Sequence, residues 1–266
     1  MDLGRPLILG VVNVTPDSFS DGGETPSCEL AVERACLLKE QGADILDIGG
    51  ESTRPGAEPV SIDQELSRVI PVIEALARRG ICVSVDTRNA PVMAAALQAG
   101  ASIINDVTAL EGDAQSLGVV AASTASVILM HMQGQPGTMQ DAPVYNDVVT
   151  EVGGYLVSRL RACEDAGISK DRIAIDPGIG FGKTQDHNLA LLKNLGAFAA
   201  LGSPLVLGVS RKSFIGRISN ESDPAKRLAG SLSAGLAGLA RGVSILRVHD
   251  VLETRQALDV WQAIEK

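Results

Sequence analysis

This 266-residue sequence predicts an α/β fold of the (β/α)8 TIM-barrel type in a single domain, residues 1–266. Three observations predict it. Short continuous apolar runs rich in Val and Ile alternate with longer amphipathic stretches, as buried parallel strands alternate with the helices that cover them. The runs number eight, the count of a closed barrel, with a doubly wound open sheet as the competing arrangement. Nearly every run stops on a residue able to do chemistry, and a parallel sheet brings all such residues to one edge.

The strand candidates centre near Leu9, Ile45, Val83, Ile103, Ile128, Ala174, Val206 and Ile245. Helical patterns follow them at 29–41, 62–79, 91–99, 147–166, 188–201, 224–240 and 251–265. Ser61-Ile-Asp-Gln64 and Asp250-Val-Leu-Glu253 read as capping boxes, in which side chains satisfy the first unpaired amides. Asp223-Pro224 places a cap before a proline at the first helical position. Gly42, Gly80, Gly100, Gly167 and Gly242 each stand where a helix closes before the next strand. Three connections, 15–27, 49–60 and 131–146, exceed the length common in βα units. All three follow strands, so they rise on the same face as the chemistry-bearing residues and read as binding loops.

Bulk properties narrow the class. The net charge of −9 argues against nucleic acid as a partner, and an anionic substrate would need a local basic pocket. Aromatic residues are only 3%, so the core must be built from Leu, Ile, Val and Ala. Cys28, Cys36, Cys82 and Cys163 show neither paired ligand spacing nor disulfide density, which fits a reduced, cytoplasmic setting. No apolar run approaches the ~20 residues that span a bilayer, and the first residues lack the pattern of an export signal. No membrane partner is expected.

Asp86, Asn105 and Asp176 each end a different strand candidate. Together they offer several acceptors and one amide donor group, a set suited to a flat heterocycle with a donor-bearing N–C–N edge, such as a 2-aminopyrimidinone. Taken singly, Asp86 also reads as a helix cap, and Asn105-Asp106 and Asp176-Pro177-Gly178 as turns. Arg211, Lys212, Arg247 and His249 follow the last two strands, where barrel enzymes often hold phosphate. Asp250 reads as the cap of the last helix. Asn13 heads a loop rich in glycine and proline, and its amide can face a phosphate or a hard metal. Phe19 could close that loop over a ligand, and Arg54 in the second loop could grip a carboxylate. Gly178-Ile-Gly-Phe-Gly182 lacks the spacing of the phosphate-binding fingerprints and reads as close backbone packing beside Asp176. His131 and His187 read as structural.

Eight segments resemble one family from end to end. They are Gly10-Val-Val-Asn-Val-Thr-Pro-Asp-Ser-Phe-Ser-Asp-Gly-Gly23, Asp47-Ile-Gly-Gly-Glu-Ser-Thr-Arg-Pro-Gly56, Ser84-Val-Asp-Thr87, Ile104-Asn-Asp-Val107, Met130-His-Met-Gln-Gly134, Ile175-Asp-Pro-Gly-Ile-Gly-Phe-Gly-Lys-Thr184, Ser210-Arg-Lys-Ser-Phe214 and Arg247-Val-His-Asp250. On them the sequence closely resembles the dihydropteroate synthase family, the folate-pathway enzymes inhibited by sulfonamides. The resemblance implies condensation of 6-hydroxymethyl-7,8-dihydropterin diphosphate with p-aminobenzoate by a (β/α)8 barrel that is usually a homodimer. It implies that Asp86, Asn105, Asp176 and Lys212 bind pterin, and that Asn13, Arg247 and His249 bind diphosphate, with Mg²⁺ as cofactor on Asn13. It further implies that Thr53, Arg54, Pro55 and Ser213 meet p-aminobenzoate, and that Phe19 and Asp21 belong to the closing first loop. Asp86, Asp176 and Asp21 would favour positive charge developing on the pterin methylene carbon, in an SN1-like transfer assisted by Lys212. A pterin-binding methyltransferase, a non-catalytic pterin binder and a Schiff-base lyase using Lys212 are the rival readings.

Overall fold

The computed structural model describes residues 5–15, 24–51, 60–135 and 137–265. Among them, strands and helices alternate as β1 (Leu7–Asn13), α1 (Glu24–Glu40), β2 (Ile45–Gly49), α2 (Ile62–Ala77), β3 (Val83–Asp86), α3 (Ala90–Gln98), β4 (Ile103–Asp106), α4 (Ser116–Ala121), β5 (Ser126–Met130) and α5 (Val148–Asp165). The series continues with β6 (Ile173–Asp176), α6 (Gln185–Lys193), α7 (Leu195–Ala199), β7 (Val206–Leu207), α8 (Ser213–Ser219), α9 (Leu228–Leu239), β8 (Ile245–Val248) and α10 (Val251–Glu265). The strands run parallel in the order β6-β5-β4-β3-β2-β1-β8-β7. The ring closes where Ile175 of β6 bridges to Leu205 just before β7, and the Ile175 amide donates to the Pro204 carbonyl at 2.9 Å. That closure makes the predicted (β/α)8 barrel the observed fold and sets aside the open sheet.

Strand alternation explains why the apolar runs are unbroken. In β2, Leu46 and Ile48 join the large core between sheet and helices, while Ile45 joins a second core inside the barrel. Leu9, Ile45, Ile103, Ile128, Ala174, Val206 and Ile245 form that inner core. A strand buried on both faces has no position for a solvated side chain. Two residues further along the same inner faces stand Val11, Asp47, Asn105, Met130, Asp176, Gly208 and Arg247. The barrel therefore has an apolar base and a largely polar upper layer.

The capping box at Ser61 is present, with Gln64 N donating to Ser61 Oγ and Ser61 N donating to Gln64 Oε1. All five helix-closing glycines have positive φ. Elsewhere the structure corrects the sequence expectations. The expected helix 188–201 is two helices, because Asn194 turns out of helical geometry and its side chain donates to the Ala190 carbonyl. The expected helix 224–240 begins as a 3-10 turn, Pro224–Lys226, and becomes regular only after Arg227. Helices α4 and α8 are too short to show a periodic pattern. Asp250 does not cap α10 with its side chain, because its carboxylate takes the Arg211 guanidinium instead.

The glycine-rich segment after β6 is held as a platform. Four successive carbonyls each accept a side-chain donor: Ile179 from Lys212 Nζ, Gly180 from Gln140 Nε2 at 2.5 Å, Phe181 from Lys183 Nζ at 2.9 Å and Gly182 from Tyr145 Oη at 2.9 Å. The backbone presses on the loop after β5 so closely that a Cβ on Gly178 would lie 1.9 Å from the His131 carbonyl oxygen. Gly178 also has a φ of 67°, which disfavours any side chain. Gly178→Ala is therefore expected to cost about 3 kcal/mol or more of stability in urea denaturation. Gly80→Ala, also at positive φ but facing open space, should cost about 1 kcal/mol; equal costs at the two positions would refute the packing argument.

Candidate active site

Sheet register brings the predicted residues level. Asn13 pairs with Gly49, Gly49 with Asp86, and Asp86 with Asn105, so three of them stand on one line across four strands. Gly49 opens room between them: a Cβ there would meet Asp86 Cβ at 3.6 Å and Asn13 Oδ1 at 3.7 Å. Gly208, beyond the end of β7, does the same on the other side. A Cβ there would lie 3.9 Å from each of Asp176 Oδ2, Lys212 Nζ and Arg247 Cβ.

Arg247 joins the two halves. Its Nε donates to Asp47 Oδ2 and its Nη2 to Asp86 Oδ2, both at 2.7 Å. Asn105 Nδ2 donates to the same Asp47 oxygen at 3.0 Å. Asn13, Asp86, Asn105, Asp176, Lys212 and Arg247 thus stand together at the C-terminal mouth of the barrel.

Burial sets the charge states. It pushes the Asp86 carboxyl up to about 7, against the pull of Arg247 and reinforced by Asp47 and Asp106. Asp176 is also raised by burial, while Lys212 and the Gly178 amide, 2.7 Å from Asp176 Oδ1, favour its anion. Burial lowers Lys212 to about 8, with Asp176 opposing the shift. Burial likewise favours neutral Arg247, but Asp47 and Asp86 outweigh it and hold the guanidinium charged. Lys212 Nζ lies 4.6 Å from the centroid of the Phe181 ring.

Two buried side chains that stand in family-like segments but were given no role belong to this assembly. Asp47 is fully buried in the middle of β2; its signal was an acid inside an otherwise apolar strand. Lys183 is 2% exposed, with Nζ 3.0 Å from His131 Nδ1 and 2.9 Å from the Phe181 carbonyl. Burial lowers Lys183 to about 7, and burial with the adjacent Lys183 lowers His131 to about 3, so the His131 imidazole is neutral. Lys183 lies in the family-like segment 175–184, but nothing in that segment's spacing marks the lysine as buried. Asp106 accepts from the Thr108 and Leu110 amides and shapes the turn after β4.

The other predicted residues divide. His249 lies just past β8, its Nδ1 3.0 Å from Ser210 Oγ. Ser213 opens α8 and is exposed. Phe19, Asp21, Thr53, Arg54 and Pro55 lie outside the described residues. Among the described residues, no group of three or more His, Cys, Asp or Glu side chains could hold a metal by itself, and no helix is long and apolar enough to cross a membrane.

Comparison with known proteins agrees with this geometry. A family model described as pterin binding enzyme matches residues 9–249. Dihydropteroate synthase of Escherichia coli strain K12 is 48% identical over 264 residues, covering 99% of this chain and 93% of that protein. The structure of Xanthomonas albilineans dihydropteroate synthase with 4-aminobenzoic acid superimposes with a TM-score of 0.94 at 51% identity, covering 99% of this chain and 94% of that one. The same enzyme in complex with 7,8-dihydropteroate gives a TM-score of 0.90 at 47% identity, covering 100% and 95%. A barrel whose mouth gathers these acids, amides and cations, and whose sequence matches along almost its whole length, is an enzyme of the transferase class: the chain belongs to the dihydropteroate synthase family of pterin-binding enzymes.

Proposed function

We propose that this chain joins 6-hydroxymethyl-7,8-dihydropterin diphosphate to p-aminobenzoate, releasing 7,8-dihydropteroate and diphosphate in folate biosynthesis. One observation supports the reading: Asp86 of β3, the Asn105 amide of β4 bonded to Asp47, and Asp176 of β6 gather with Arg247 and Lys212 at one mouth of the barrel. The pterin ring presents an amino and a ring N–H to the Asp176, Asn105 and Asp86 oxygens, and its carbonyl to Lys212. The bond from the methylene carbon to the diphosphate oxygen breaks, and its electron pair leaves with the oxygen. Asp86 and Asp176 favour the positive charge left on carbon, because charge–charge attraction is strong in a site screened from water. The aniline nitrogen of p-aminobenzoate then supplies the pair for the new C–N bond and releases one proton. No covalent enzyme adduct is needed, so the transfer is SN1-like and rests on positioning.

Asn13, His249 and the Nη1 atom of Arg247 are assigned to the diphosphate. Asn13 is a single hard amide-oxygen donor, which fits Mg²⁺ arriving with diphosphate, since that ion favours few protein ligands, substrate phosphates and retained waters. When bound, Mg²⁺ would offset charge on the leaving group. Phe19, Asp21, Thr53, Arg54, Pro55 and Ser213 are assigned to p-aminobenzoate and the closing loops. A homodimer in the cytoplasm belongs to the same proposal.

Turnover with both substrates and Mg²⁺ is expected, with product lost when any one is left out. No dihydropteroate from the complete mixture would overturn the assignment. The value of kcat/KM for the pterin substrate should rise as pH passes about 7, where Asp86 loses its proton, and fall above about 8, where Lys212 loses its own. The rising limb should vanish in Asp86→Asn. Arg247→Ala removes the cation that opposes burial at Asp86, so the same limb should move to higher pH; an unmoved limb would disconnect Asp86 from it. Asp176→Ala should weaken binding of a diphosphate-free pterin at least tenfold by calorimetry.

A further inference from the structure

We propose that Asp47 is a positioning residue that fixes which end of the Asn105 amide faces the substrate, and so sets the donor–acceptor pattern that the cavity accepts. The proposal rests on the pterin reading above and adds to it a residue that touches no substrate.

An asparagine amide has two ends of nearly equal size and opposite chemistry, and its neighbours decide which way it turns. Asp47 Oδ2 accepts from Asn105 Nδ2 at 3.0 Å and from Arg247 Nε at 2.7 Å. A carboxylate paired with a guanidinium can only accept, so the NH₂ end of Asn105 is the end that turns toward it. The Oδ1 end then faces the ligand, and it makes no hydrogen bond within the described residues. Asn105 thereby joins Asp86 and Asp176 as a third acceptor on the cavity wall. Turned over, the same side chain would set its NH₂ against the N–H groups of the ring, donor facing donor.

The same Asp47 oxygen fixes the Arg247 fork. With Nε on Asp47 and Nη2 on Asp86, Nη1 is the nitrogen left for the ligand. A purely structural role does not account for an acid here. Ile45, two residues earlier on the same inner face, fills the barrel with hydrocarbon. Asp47 Oδ1, by contrast, is buried with no hydrogen-bond partner among the described residues, and an unsatisfied buried oxygen is destabilising.

The test uses calorimetric binding of 6-hydroxymethylpterin, which reads the ring edge without the diphosphate. Asp47→Val should weaken binding at least tenfold. Asp47→Asn keeps an oxygen where Oδ2 stands, because two donors face that point, and should restore binding to within fivefold of the parent. In an Asn105→Ala background, Asp47→Val should cost at least threefold less than in the parent, since part of its effect passes through Asn105. Fully additive losses would overturn the proposal, as would parent-like binding by Asp47→Val. If Asp47→Val fails to fold, a tenfold loss in Asp47→Asn overturns it equally. A parent protein that takes up no pterin at all would bring down the reading of the site along with this role.

Discussion

One guanidinium between two buried carboxylates is the constraint on which the upper barrel depends. Asp47, Asp86 and Asp176 occupy a layer closed below by hydrocarbon. Unpaired, such acids would take up protons or force the layer to hydrate, because an isolated buried charge costs several kcal/mol. Arg247 opposes this by bonding to Asp47 and Asp86 together, although burial still holds the Asp86 carboxyl up at about 7. Its planar fork can reach two acceptors at fixed directions, which a lysine ammonium on a flexible stem would not reproduce. The acid-rich pocket suited to a donor-bearing ring is therefore a property of β2, β3 and β8 acting together.

The second support is the segment after β6. Its carbonyls are taken one after another by donors from the loops after β5 and β7 and by its own Lys183. Close approach of backbone to backbone at Gly178 and Gly182 excludes side chains from that seam. Asp176 and Lys212 are thereby held opposite each other on a surface with few degrees of freedom, which is what a reaction relying on placement needs.

Much of this was legible in the amino-acid pattern. Parallel strands covered on both faces must be apolar throughout, so Leu9, Val83 or Ile128 announced their strands without alternation. Residues ending those strands stood out for the same reason, and six of them gather at one mouth of the barrel. Asp47 was hidden because it stands mid-strand, away from the strand ends that carry the pattern, and serves its neighbours. Lys183 was hidden because burial of a loop lysine follows from tertiary packing alone. The helix breaks at Asn194 and Arg227 depend on side chains bonding back to the backbone, which a periodic hydrophobic pattern does not register. Asp250 illustrates the reverse error: a good capping residue diverted by a cation 39 positions away in the chain.

The ring of strands is uneven. Most neighbours share ladders of three to five residues, yet β6 and what precedes β7 meet at one bridge, Ile175 to Leu205. Asp176 and Lys212 flank that thin join. Where the ladder is weakest, the Ile175–Pro204 backbone bond is joined by a second link, the ammonium of Lys212 clasping the Ile179 carbonyl. A ligand that draws Lys212 toward itself would loosen this clasp, so occupancy of the pocket and the elasticity of the barrel wall are two sides of the same contact.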